Sequence, residues 1–81
     1  MDTWFELWDS DSANLIGSYA TEPEVLRFLG QSLDDHGAAA FVGLVLTEEA
    51  TGHDEPRVIA AGLDLAKYVL AARAAGFRRT A

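Results

Sequence analysis

Two stretches of this chain set carboxylates, hydroxyls or an imidazole close enough together to suggest chemistry. In the first, Asp9 and Asp11 stand where the first and third ligands of a calcium-binding loop would be. Such a loop needs a ligand at Ala13, a glycine at Asn14 and a bidentate glutamate at Ala20, so the run Asp9 to Asn14 is instead the polar turn of a hairpin. The second stretch is His53, Asp54 and Glu55. Neighbouring side chains in a turn seldom converge on one ion, and no second cluster accompanies them, which makes this a solvated acidic loop.

Nucleophilic chemistry has no better footing. Ser10, Ser12, Ser18 and Ser32 sit in no elbow motif, cysteine is absent, and the glycines occur singly, without the spacing that cradles a phosphate. The other histidine, His36, precedes Gly37 at the expected end of a helix, where an imidazole suits the helix dipole and can bond a terminal carbonyl. No catalytic residue, metal ligand or cofactor is assigned.

The elements that must position these residues follow from local pattern. Trp4 to Trp8 is rich in strand-forming aromatics, and Leu15 to Tyr19 follows the polar turn as its hairpin partner. Thr21, Pro23 and Glu24 form a helix-start signal in which the threonine hydroxyl accepts from the third helical amide. Val25, Leu26, Leu29 and Leu33 then fall on one stripe, and Gly37 is placed to end the helix in the left-handed region. Gly30 should weaken this helix by about 1 kcal/mol relative to alanine unless something packs closely against it. The apolar run Phe41 to Leu46 predicts a buried strand, residues 48–56 an acidic loop, and Arg57 to Ala61 a fourth strand. Gly62 precedes a last helix, from about Leu63 to Ala75, closed by Gly76.

The expected fold is therefore α+β, with order ββαββα: a four-stranded, mainly antiparallel sheet with two helices on one face. One domain, 1–81, would hold a ββα unit over about 3–37, a second over about 40–76, and a tail, 77–81. Strand order is not derivable from these patterns.

Composition narrows the role. A chain of 81 residues buries only roughly 60% of the surface it exposes when unfolded, yet 49% of its residues are apolar. Some of that surface is expected to meet a partner. The formal charge of −7 is uneven: residues 1–56 carry twelve acidic side chains against Arg27 alone, whereas residues 57–81 carry only Asp64 against five basic ones. This asymmetry fits compensation within the molecule, a head-to-tail contact, or an anionic ligand at Lys67, Arg73, Arg78 and Arg79. Arg73 stands out because it falls in the middle of the arc of Leu65, Ala66, Val69, Leu70 and Phe77, from which it must reach water or a carboxylate. The absence of a basic leader or a long apolar run makes a cytoplasmic protein without a membrane span the default expectation.

Alternation assigns Phe5, Leu7, Val42, Leu44 and Leu46 to the helix-covered side of the sheet. Trp4, Trp8, Phe41 and Val45 fall on the other side, joined by Leu15 and Tyr19 if the hairpin register agrees. So large an aromatic patch on an uncovered face predicts a second chain or a ligand over it.

The segments FELWDSDSANLIGSY (5–19), TEPEVLRFL (21–29) and VIAAGLDLA (58–66) resemble a group of uncharacterised short stand-alone α+β proteins of high-GC bacteria. The resemblance covers most of the chain and implies a free-standing ββαββα domain. Its residues form the fold, and it carries over no functional side chain.

The function expected is recognition: a protein-interaction or regulatory module, homodimeric or an adaptor, using the open face around Trp4, Trp8 and Phe41 with acidic loops at the rim. A nucleic-acid or anionic-ligand binder working through the basic C-terminal helix is the alternative, and the net acidity weighs against nucleic acid. A small-molecule sensor with the aromatic face as a pocket wall is a third.

Overall fold

A computed structural model, describing residues 2–52 and 55–76, has the element order ββαββα. Strands β1 (Thr3–Asp9), β2 (Asn14–Tyr19), β3 (Leu44–Ala50) and β4 (Arg57–Ala61) form one antiparallel sheet in the order β2-β1-β3-β4. The helices α1 (Glu22–His36) and α2 (Leu63–Ala74) lie together on one face of it. The Cα extents, 34 × 31 × 17 Å, are thinnest across the layers, as expected for a helix layer on a sheet with nothing beyond.

One core sits between these layers. Phe5, Leu7 and Leu46 supply it from the sheet, Val25, Leu26 and Leu29 from α1, and Leu65, Ala66 and Val69 from α2. The N-terminus of α1 is capped as its sequence indicates, the Thr21 hydroxyl accepting from the Glu24 amide at 3.4 Å with Pro23 in the first turn. Gly37 ends it at φ +77°, its amide bonding the Leu33 carbonyl at 2.9 Å.

Phe41 does not lie on a strand. Ala38–Phe41 close a 3-10 turn directly after α1, and β3 begins only at Leu44, so alternation does not apply to the first residues of that apolar run. The turn drops the Phe41 ring into the core, where it is fully buried, and leaves Val42 67% exposed; their expected places are thus exchanged. At its other end β3 continues through Thr47, Glu48, Glu49 and Ala50, part of which the acidic composition assigned to a loop. Cross-strand partners hold these residues in the ladder: Ala50 faces Thr3, Glu49 faces Trp4, and Glu48 faces Arg57, whose Nε donates to Glu48 Oε1 at 2.7 Å.

The ladder slips by one residue twice. Leu7 faces Gly17 but Trp8 faces Leu15, which makes Ile16 the extra residue on β2; Leu46 faces Ala60 but Thr47 faces Val58, which makes Ile59 the extra residue on β4. The slip at Ile16 sends Leu15 and Tyr19 to opposite faces. Tyr19 faces Phe5 and so joins the helix side rather than the open one, with its ring 5.9 Å from that of Phe28 and lying back over Gly17.

Gly30 has the close neighbour its position calls for. A Cβ there would meet an Arg73 guanidinium nitrogen at 3.1 Å, and that nitrogen donates to the Gly30 carbonyl at 3.3 Å. Since the guanidinium is the far end of a flexible chain whose ion pair is partly exposed, Gly30→Ala should gain helix propensity and lose little else. We expect a stabilisation below about 1 kcal/mol by urea titration; a loss of more than that would mean the guanidinium is locked in place.

Candidate functional site

The face of the sheet opposite the helices is built from alternate residues of four strands, and the register arranges them in rows. Leu15, Trp8, Val45 and Ala61 lie side by side across β2, β1, β3 and β4. The next row is Ser18, Glu6, Thr47 and Val58, and beyond it Trp4 stands beside Glu49. Leu15 is 49% exposed and Val58 59%, while Trp4, Trp8 and Val45 are half-buried by their neighbours on the face. One end of the face is thus apolar, and the other mixes an indole with two carboxylates.

Polar side chains knit that second end together. The Trp4 indole N–H donates to Glu6 Oε2 at 3.1 Å. The Thr47 hydroxyl, almost fully buried, is shared between the Glu6 carbonyl and Glu49 Oε2, each at 3.3 Å. Glu6 and Glu49 are diagonal neighbours across β1 and β3, within reach of long side chains. Partial desolvation, reinforced by the facing Glu6 carboxylate, pushes the Glu49 carboxyl above the ordinary carboxylate range.

Of the residues singled out in sequence, Trp4, Trp8, Val45 and Leu15 share this face, and Phe41 and Tyr19 do not. Glu6, Thr47, Glu49 and Val58 belong to it and went unnoticed. Glu6 follows from the alternation that selects Trp4 and Trp8, but a search for aromatics passes over it. Thr47, Glu49 and Val58 needed the true extent of β3 and the slip at Ile59.

Among the described residues, the three basic side chains of the C-terminal half each lie near a carboxylate. Arg73 reaches from α2 to Asp34 on α1, Nη1 to Oδ1 at 3.1 Å, Lys67 lies 3.9 Å from Asp64, and Arg57 pairs with Glu48. Arg78 and Arg79 lie outside the described residues, as do His53 and Asp54.

A groove of about 400 Å³ runs between the helices, lined by Glu22, Leu26, Tyr68, Ala71, Ala72 and Ala75. At its mouth the Tyr68 hydroxyl donates to Glu22. Burial and this acceptor push the phenol far above its usual range, so it is a fixed donor tying α2 to the start of α1 and not a base. A second exposed apolar stripe, Leu63 and Leu70, lies along one side of α2 seven residues apart. The polar turn is also self-contained: Asp9 Oδ1 accepts from the Asp11 amide at 2.9 Å, and Ser10 donates through both amide and hydroxyl to the Gly43 carbonyl. Among the described residues, no three His, Asp or Glu side chains gather as metal ligands, and no helix is long and apolar enough to cross a membrane. His36 is exposed at the end of α1. No protein-family model, curated protein or solved structure matches the chain.

Proposed function

We propose that this protein is an interaction module that self-associates through the open face of its sheet. The observation that supports this reading is the unroofed row Leu15, Trp8, Val45 and Ala61, continued by Val58 and Trp4, in a domain whose opposite face is closed by both helices. Two such faces pack as sheets do in a sandwich, about 10 Å apart with interdigitating side chains. Trp8, flanked on both sides by apolar neighbours, is the natural centre of the contact.

The size of the face bounds the contact. Four strands of five to seven residues, about 4.8 Å apart with about 3.4 Å per residue, give a footprint of roughly 400 Å² per chain. Two such faces together fall below the size of stable specific interfaces, so the contact is a weak, reversible one.

Sedimentation equilibrium from micromolar to millimolar chain should show a monomer–dimer equilibrium. Trp8→Lys, which sets a charge at the centre of the contact, should raise the dissociation constant at least about 100-fold, the equivalent of about 2.7 kcal/mol. Leu70→Lys, on the far side of the molecule, should leave it unchanged. A chain that stays monomeric at millimolar concentration, or a dimer broken by Leu70→Lys and not by Trp8→Lys, would remove this reading.

A further inference from the structure

Glu6 and Glu49 sit inside the area that a second copy would cover, and the described residues set no cation opposite them. On β1 their neighbours are Trp4 and Trp8, on β2 Ser18, on β3 Val45 and Thr47, and on β4 Val58 and Ala61; the helices lie on the other side. Asp2, exposed and with its carbonyl accepting from the Thr51 amide just past β3, adds negative charge, while Arg57 is engaged by Glu48 on the helix side. The partner copy brings the same two carboxylates. Closing the contact would therefore strip water from like charges already in reach of one another, which their neutral form tolerates far better.

We propose that self-association through this face is coupled to proton uptake: on closure the Glu6–Glu49 pair of each copy takes a proton from solvent, and the dimer tightens as pH falls. The proposal rests on the dimer reading above. The sign follows from linkage. The dimer holds more protons than the free chains, so lowering the pH favours it until the free chains are protonated as well, which for the already raised Glu49 carboxyl happens above the ordinary carboxylate range. Each proton taken up contributes at most about tenfold in affinity per pH unit within that window.

The test is the dissociation constant between pH 7.5 and 5.5, where the chain stays above its isoelectric point of about 4.5. For the wild type it should fall at least about tenfold. In Glu6→Gln/Glu49→Gln, whose amides keep the shape without the charge, the dimer at pH 7.5 should be at least as tight as wild type at pH 5.5, with no remaining pH dependence. His53→Gln, between β3 and β4 in the sequence, should keep the wild-type profile, and Trp8→Lys should stay monomeric at pH 5.5. A wild-type dimer indifferent to pH overturns proton coupling and leaves the dimer standing. A double Gln variant with the wild-type slope, or loss of the slope in His53→Gln, assigns the proton elsewhere and also overturns it. Trp8→Lys dimerising at pH 5.5 would show general loss of charge repulsion instead. Monomers throughout, double Gln variant included, would remove the dimer and this coupling together.

Discussion

Phe41→Ala should leave the chain unfolded at room temperature. The ring is fully enclosed between the helices and the sheet, and truncating a buried phenylalanine costs about 3–5 kcal/mol through lost burial and the cavity left behind. A single core of this size supplies little more than about 3–5 kcal/mol in total. Phe41→Leu, which retains most of the volume, should remain folded at a cost of about 1.5 kcal/mol or less. Circular dichroism with urea titration separates the cases; a cooperative, near-wild-type transition in Phe41→Ala would contradict the placement of this ring. Trp8→Lys is the contrasting substitution, since the indole lies on the open face and the monomer should stay folded without it.

The second large effect is expected at the junction between β4 and α2. Gly62 has φ +59° and ψ −134°, a region that residues with a Cβ rarely adopt, and its amide bonds the Leu44 carbonyl at 2.9 Å. Space is not the obstacle, since an added Cβ would approach nothing closer than the Val42 carbonyl at 3.7 Å. Gly62→Ala should therefore cost about 1–3 kcal/mol in backbone strain alone, a fall in Tm of several degrees per kcal/mol in a domain of this size. An unchanged Tm would mean that the junction relaxes to another conformation. Set beside Gly30→Ala, the comparison shows two glycines of opposite sign in one small fold.

The element order was legible because each element carried its own local signal. The capping residues Thr21 and Glu24, the stripe from Val25 to Leu33 and the turn from Asp9 to Asn14 predict what they form. Errors arose where one residue of offset decides the face. The apolar run from Phe41 has the composition of a buried strand, but Ala38, Ala39 and Ala40 behind Gly37 wind one more turn before the chain extends, and nothing in the run marks the change. The acidic run from Glu48 to Ala50 lacks strand propensity, and only the partners across the sheet make it one. Tyr19 depended on the slip at Ile16, which no turn residue signals. Half the open face was therefore within reach of simple alternation, and the carboxylate end was not.

The two slips have a consequence for the margins of the sheet. Both extra residues, Ile16 and Ile59, fall on the outermost strands, so each border is kinked where an incoming strand would need a straight row of donors and acceptors. Growth by strand addition is thereby hindered on both sides, and neither border is a good template for fibres. A chain with so much apolar surface then carries little risk of open-ended growth along the borders of its sheet.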